Sequence, residues 1–143
     1  DILGLNRSDV FITNVVKFRP PDNRDPLPEE IEVCRDWLDR QIAAIRPEII
    51  FTLGRFSLAK FIPGITISRV HGQPRFVNFR IKNSELKIMI FPMYHPAAAL
   101  RAGVVMDQFI ADFNKLKQLL DPPAVVPVAS RPASPPVTQP GLF

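Results

Sequence analysis

The chain has 143 residues, of which 46% are hydrophobic, and it carries a net charge of +4. This length predicts a single domain. No stretch is long and apolar enough to span a bilayer, and the first residues lack the features of a secretory signal. The single cysteine excludes an internal disulfide and fits a reducing cytoplasm. The small basic surplus is compatible with binding DNA but does not require it.

The first predicted element is a strand over residues 10–16, an apolar run rich in β-branched side chains. It carries Asn14 near its end. A basic, proline-stiffened segment follows, Lys17-Phe18-Arg19-Pro20-Pro21, and prolines as far as Pro28 predict a loop.

Helical spacing then predicts a helix over residues 29–45, with acidic side chains in its first turn, as the helix dipole prefers. Residues 48–53 are predicted to form a second buried strand. Gly54 then leads into a short helix over residues 56–62. A strand–glycine–helix turn can bind phosphate, but one glycine is a weak signal, and a tight turn is the preferred interpretation.

Residues 65–70 and Arg75–Ile81 are predicted to be short strands of a hairpin-like excursion around Gly72. His71, which precedes this glycine, is expected in a turn or at the surface. A lone histidine in such a position is more often structural than functional.

Residues 87–91 are predicted to form the third buried strand, with His95 just past its end, and residues 104–120 the last helix. Apolar strands separated by amphipathic helices predict an α/β fold. Its expected architecture has three layers, with a mainly parallel sheet between flanking helices.

Residues 121–143 differ in composition, because prolines recur throughout and the only charges are Asp121 and Arg131. The chain is therefore divided into a domain over residues 1–120 and a disordered, partly polyproline-like tail over residues 121–143. Pro132 and Pro135 have the spacing of a Pro-x-x-Pro ligand, although a plain solvated tail is the preferred interpretation.

Asn14 and His95 are the candidate functional residues. Ligands of such sheets bind beyond the carboxyl ends of the strands, so both side chains should project toward one rim. An amide both accepts and donates hydrogen bonds, so it can read the edge of a nucleic-acid base. A neutral imidazole can stabilise an anion that develops in a transition state. The simpler alternatives are an asparagine that bonds its own turn and a structural histidine.

The runs Phe11-Ile12-Thr13-Asn14-Val15-Val16-Lys17-Phe18-Arg19-Pro20-Pro21 and Tyr94-His95-Pro96-Ala97-Ala98-Ala99-Leu100-Arg101 resemble family 4 uracil-DNA glycosylases over about residues 1–120. This resemblance implies base-excision repair, in which uracil is released from DNA and an abasic site remains. It implies that Asn14 reads the base and that His95 stabilises the uracil anion. Pro96 should help to aim His95, because it restricts the preceding backbone.

The resemblance also implies contacts with DNA in the loop that begins at Pro96. Leu100 would be an apolar wedge in the minor groove and Arg101 a phosphate contact. A leucine that faces the core is an equally good interpretation of Leu100. Lys17, Arg19 and Arg24 are further candidate phosphate contacts, although for each one taken singly a solvated charge is the preferred interpretation.

The chain departs from this family at its metal ligands. Family 4 enzymes carry a [4Fe–4S] cluster on four cysteines: two precede the matched region, one occupies the position of Phe18, and one matches Cys34. One thiolate cannot hold such a cluster. No cofactor is therefore expected for this chain, and Cys34 is predicted to pack as a small core residue.

The family's water-activating acid, its uracil-stacking aromatic residue and a central strand also precede the matched region. We therefore expect a domain incomplete at its N-terminus and inactive alone. The gap left by that strand, between the first two predicted strands, should expose apolar surface or force a new pairing. The absence of an initiator Met agrees with this expectation. The expected protein is a cytoplasmic monomer that binds uracil-containing DNA and no membrane. The alternatives are a non-catalytic nucleic-acid-binding homologue and a cluster-free glycosylase for another damaged base.

Overall fold

The computed structural model describes residues 2–81 and 84–120. Its sheet contains β1 (Ile49–Leu53), β2 (Arg75–Ile81) and β3 (Ser84–Met93), in the order β1-β3-β2. β1 runs parallel to β3, with Ile49 opposite Met89, whereas β2 and β3 are antiparallel neighbours. The α/β class is confirmed, but the sheet is mixed rather than mainly parallel, because β2 and β3 pair as consecutive strands.

Helices surround this sheet and connect its strands. Their bounds are α1 (Pro28–Ile45), α2 (Arg55–Phe61), α3 (Ile67–Val70), α4 (Pro96–Ala99) and α5 (Gly103–Leu120). α1 begins with a proline at its first position, where the missing N–H costs nothing, and ends at Arg46 in the left-handed conformation. The predicted helices over residues 29–45, 56–62 and 104–120 are thereby confirmed to within one residue at each end.

The core has two halves, one on each face of the sheet. On one face, Leu38 and Ile42 of α1 pack against Ile88 and Ile90 of β3. On the other face, Leu116 of α5 packs with Phe91 and Met93. β3 therefore contributes to both halves, and the three-layer arrangement is confirmed.

Two predicted strands are wrong. Residues 10–16 form no strand: the run pairs with none of the strands β1, β3 and β2, and side chains of α1 contact it at Thr13 and at the adjoining Lys17. Residues 65–70 end in the short helix α3, because Arg75–Ile81 pairs with β3 and leaves them without a strand partner. A β-branched run becomes a strand only when a neighbour accepts its hydrogen bonds.

The run over residues 10–16 exposes apolar side chains. Phe11 is 59% exposed and Ile12 is 65% exposed. Because residues 10–16 form no strand, the apolar surface or new pairing expected in a gap beside it stays a prediction.

Among the described residues, no helix combines the length and the apolar character needed to cross a membrane. The predicted tail over residues 121–143 lies outside the part of the chain that the structure describes.

Candidate active site

His95 is placed by the end of the central strand. β3 ends at Met93, and His95 is the N-cap of α4, in an extended conformation with φ −70° and ψ 138°. Pro96 takes the first helical position, which its ring favours, and the residue before a proline is restricted to extended geometry. The local sequence therefore determines how the backbone presents the imidazole.

The His95 ring is oriented by a backbone hydrogen bond. The N–H of Ala97 donates to Nδ1 at 3.1 Å. A ring nitrogen that accepts must carry a lone pair, so the proton of the neutral ring lies on Nε2. His95 is solvent-exposed, and this arrangement makes Nε2–H its hydrogen-bond donor.

Gly54 is the direct neighbour of His95 at the end of β1. Its N–H donates to the carbonyl of Met93 at 2.9 Å, and its φ is +86°. A Cβ at this position would lie 3.1 Å from Cβ of His95. The sequence suggested only a tight turn here. The available signal was that a glycine directly after a parallel strand reaches the same sheet edge as the residues that follow the neighbouring strand.

Asn14 lies outside the sheet, so the prediction that it ends a strand is wrong. The ammonium of Lys17 donates to the Asn14 carbonyl at 2.8 Å, to Thr13 Oγ1 at 2.6 Å and to Gln41 Oε1 at 2.9 Å. The backbone N–H of Lys17 also donates to Cys34 Sγ at 3.2 Å. Gln41 and Cys34 belong to α1, so this lysine fastens the Asn14 segment to that helix.

The three acceptors occupy all the N–H groups of the Lys17 ammonium. Desolvation lowers the pKa of Lys17, and the nearby Cys34 thiol opposes this shift in part. In this arrangement no ammonium proton remains for a DNA phosphate. In this structure Lys17 therefore supports the Asn14 backbone, and its role as a phosphate contact stays a prediction.

The side-chain amide of Asn14 is exposed, and none of the hydrogen bonds in residues 2–81 and 84–120 uses it. The alternative in which this amide bonds its own turn is therefore wrong. The open depression around Asn14 is formed by residues 13–14 and 16–20 and does not include His95. A pocket shared by Asn14 and His95 stays a prediction.

The remaining cations differ in how they are paired. Arg24 binds both carboxylate oxygens of Glu30, at 2.8 and 2.7 Å. This pairing raises the pKa of Arg24, and together with the Leu27 N–H it lowers the pKa of Glu30 from 4.5 to about 2. Arg19 donates through Nε to Asn23 Oδ1 at 2.6 Å, which leaves its terminal amino groups outside this contact. Because Glu30 lies in the first turn of α1, its pair with Arg24 joins the proline-rich loop to this helix.

Leu100 projects from the end of α4 and is 78% exposed, so the interpretation that it faces the core is wrong. Arg101 beside it is also exposed. An exposed leucine next to an exposed arginine fits the predicted wedge and phosphate contact, both of which stay predictions.

Cys34 and Phe18 do not fit an iron–sulfur cluster. Cys34 is the sole cysteine of the sequence; it is 3% exposed and accepts the Lys17 N–H described above. That contact brings the backbone beside Phe18 against Cys34, so two positions that hold ligands in the resembled family are close in space. A phenyl ring cannot ligate iron, and one thiol does not replace four.

His71 and Asp112 form a pair that sequence reasoning missed. His71 follows α3, as a turn residue should, but its side chain is only 18% exposed and its Nδ1 lies 2.7 Å from Asp112 Oδ2. The expected turn position of His71 is therefore confirmed, whereas the alternative of a surface position does not hold for its side chain. Asp112 lies within the apolar stripe of α5, and an acid in such a stripe was the signal that could have revealed the pair.

Comparison with known proteins places these features in a family. Residues 1–118 match the uracil DNA glycosylase superfamily. Type-4 uracil-DNA glycosylase of Archaeoglobus fulgidus is 45% identical over 123 residues, which cover 82% of this chain and 59% of that protein. The corresponding protein of Saccharolobus solfataricus is 46% identical over 125 residues, covering 84% of this chain and 56% of that protein. The chain thus spans somewhat more than half the length of these relatives. It belongs to the uracil DNA glycosylase superfamily.

Proposed function

We propose that the protein excises uracil from DNA by hydrolysing the N-glycosidic bond of deoxyuridine, which leaves free uracil and an abasic site. Its relatives of 45–46% identity are type-4 uracil-DNA glycosylases, and this name supports the same substrate here. The observation that carries the proposal is the hydrogen bond from the Ala97 N–H to His95 Nδ1. It makes the imidazole a fixed donor at the edge where β3 ends.

His95 is proposed to stabilise the leaving group. When the C1′–N1 bond breaks, its electron pair moves into the uracil ring and negative charge collects largely on O2. A donor already oriented by Ala97 and by the contact with Gly54 stabilises this charge without reorganisation. His95 donates a hydrogen bond and keeps its proton, while a water molecule adds its oxygen to C1′ and its released proton ends on the departing uracil anion.

Asn14 is proposed to read the base. Its amide is available, because the Asn14 carbonyl rather than the side chain bonds Lys17. The amide oxygen would accept from N3–H of uracil and the amide nitrogen would donate to O4. Cytosine leaves both groups unpaired, which typically costs a few kcal/mol when the site is closed to water.

The segment from Pro96 to Arg101 is proposed to extrude the target nucleotide. Leu100, which is 78% exposed, would enter the stack from the minor groove, and Arg101 would hold a phosphate. Arg19 and Lys17, both candidate phosphate contacts from the sequence, would hold phosphates beside the Asn14 segment. The protein would act as a monomer in the cytoplasm, whose reducing conditions suit a buried free thiol.

No residue of the sequence is assigned to activate water, and no step of the proposed reaction uses a cluster. We therefore propose that Asp1–Phe143 alone binds uracil-containing DNA without releasing uracil from it at an appreciable rate. Turnover is expected from the protein with whatever further residues its gene encodes.

The experiment is the release of uracil from a duplex with a single uracil, measured with the full gene product. His95→Ala should lower the single-turnover rate roughly 10²- to 10³-fold, as expected for the loss of one donor to a developing oxyanion. Asn14→Ala should lower the preference for uracil over cytosine. Asn78→Ala, which removes an exposed asparagine of β2, is the matched control and should leave both unchanged.

Unchanged rates and selectivity in Asn14→Ala and His95→Ala would refute the assigned roles. A gene product that binds uracil-containing DNA but releases no uracil would favour the alternative of a non-catalytic binding homologue. Release of a different damaged base, with uracil untouched, would favour the third alternative.

A further inference from the structure

A partly buried histidine–carboxylate pair lies directly behind the segment that presents His95. Nδ1 of His71 is 2.7 Å from Oδ2 of Asp112, whose side chain is 1% exposed. Because an ionised carboxylate can only accept, the proton of this hydrogen bond is on His71 Nδ1. The second oxygen of Asp112 faces the ammonium of Lys115 at 3.4 Å.

Tyr94 connects this pair to His95. Its ring lies against the ring of His71, with centroids 4.6 Å apart and planes tilted by 43°. Tyr94 immediately precedes His95 in the chain, so the position of its ring constrains the backbone from which the catalytic candidate projects. Tilted aromatic contacts of this kind prefer a limited range of orientations.

Gly72 fastens the same segment through its backbone. Its N–H donates to the carbonyl of Pro92 at 2.8 Å. The pairing of β2 with β3 ends at Arg75 opposite Ile90, so this side of Pro92 is free to accept it. The end of β3 is thus held by Gly72 on this edge and by Gly54, through Met93, on the edge that faces β1.

The close approach of Gly72 to Asp112 leaves little freedom in this arrangement. Gly72 has φ +66°, and a Cβ there would lie 2.0 Å from Asp112 Oδ1. A fully buried carboxylate is costly, and an apolar pair of similar volume could join α5 to the turn after α3 equally well. Packing alone therefore does not account for a hydrogen-bonded pair at this place.

We propose that His71 and Asp112 are positioning residues for His95. The hydrogen bond from His71 to Asp112 fixes the plane of the His71 ring. This ring in turn fixes the orientation of the Tyr94 ring that packs against it. Tyr94 then fixes the position of the adjacent His95, whose Nδ1 accepts from the Ala97 N–H. The benefit of this positioning for catalysis rests on the proposed function of His95, whereas the orientation of the His95 ring can be measured without any reaction.

The two histidines are the only ones in the sequence, which makes ¹⁵N NMR of their rings a direct readout. In the 143-residue chain, long-range ¹H–¹⁵N spectra should show His95 with its proton on Nε2 and His71 with its proton on Nδ1. Asp112→Ala should bring the two ring-nitrogen shifts of His95 toward each other, as its ring begins to exchange between tautomers. Asp112→Asn keeps an acceptor for His71 and should retain the parent pattern of His95.

Asp39→Ala is the matched control. It removes the carboxylate partner of Lys60, a lysine with a 9% exposed side chain in an ion pair that joins α1 to α2. This variant should leave the His95 signals unchanged. If Asp112→Ala does not fold, Tyr94→Leu replaces it, because it breaks the same connection without leaving a buried group unpaired.

The proposal is overturned if His95 keeps its Nε2–H pattern in folded Asp112→Ala, or in Tyr94→Leu where Asp112→Ala does not fold. It is also overturned if Asp112→Asn loses the pattern, or if Asp39→Ala changes it as strongly as Asp112→Ala. None of these results depends on the release of uracil. A failure of the proposed enzymatic function would therefore be distinguishable from a failure of the positioning role.

Discussion

The two segments that carry the candidate functional residues, His95 and Asn14, are stabilised in opposite ways. His95 follows a strand whose last residues, from Ile90 to Met93, are fully buried. The backbone N–H groups of Gly54 and Gly72 bond this strand end from its two edges. Asn14 lies in an exposed run without regular structure, which Lys17 fastens to α1 by hydrogen bonds. One segment is held by packing, and the other by polar contacts at the surface.

This difference has consequences for both energetics and motion. Removing a buried contact costs several kcal/mol because a cavity or a clash results, whereas one exposed hydrogen bond contributes about 1 kcal/mol. Segments with few buried contacts also open locally at low cost. We therefore expect a rigid His95 and a more mobile Asn14, which would become ordered as the base is bound.

Gly72→Ala should have the largest effect, because it disturbs the buried side. The left-handed conformation costs a residue with a Cβ roughly 1–2 kcal/mol, and the crowding against Asp112 adds about 1–3 kcal/mol of overpacking. The free energy of unfolding, measured with urea, should therefore fall by roughly 3 kcal/mol.

Gly4→Ala is the control for this variant, since Gly4 has a similar φ of +68° and no atom within 4 Å of its would-be Cβ. It should show the backbone cost alone. Equal losses in the two variants would mean that the approach of Gly72 to Asp112 is not restrictive, and that the packed segment is less rigid than we infer.

Lys17→Met should have an intermediate and local effect. It removes three side-chain hydrogen bonds but leaves the core intact, so the stability of the whole chain should fall by only about 1 kcal/mol. Hydrogen exchange of the backbone amides of residues 14–17 should accelerate, while the amides of β3 stay protected.

Lys117→Met replaces an exposed lysine of α5 and serves as the comparison for Lys17→Met. Equal exchange rates in residues 14–17 of both variants would show that something other than Lys17 holds this segment. Faster exchange in β3 would contradict the separation between the two regions.

Glu30→Gln should have the smallest effect, which depends on pH. Folding lowers the pKa of Glu30 from 4.5 to about 2, first through Arg24 and then through the Leu27 N–H. A carboxyl whose pKa is lowered by folding contributes stability that is fully present above its ordinary pKa and is lost as the pH falls through the folded value. The stability difference between the parent and Glu30→Gln should therefore decrease from pH 4.5 toward pH 2.

Glu32→Gln provides the matched comparison, because the ion pair of Glu32 with Arg35 is more than half exposed on both sides and weakened by solvent. Urea titrations of both variants across this pH range test the expectation. A constant difference for Glu30→Gln would show that Arg24 does not hold the ionised carboxylate in the folded state.

Much of the architecture was predictable because its signals are local. Apolar spacing located α1 and α5, and the buried strands β1 and β3 followed from short continuous apolar runs. The geometry of His95 was also local, since Pro96 restricts the residue before it and favours the first position of a helix. The exposed Leu100 was left undecided, because a leucine beside a short helix can face either way.

The amino-acid sequence by itself determined α1, α2 and α5, the central strand and the extended approach to His95, because steric limits and hydrophobic periodicity act between near neighbours. Only the tertiary structure decided that residues 10–16 remain outside the sheet, that Gly54 touches His95, and that Asp112 is buried against His71. A strand requires a neighbouring strand that pairs with its backbone, and a buried charge requires a partner. In both cases the partner comes from a segment that is distant along the chain, so the local sequence does not reveal whether it is present.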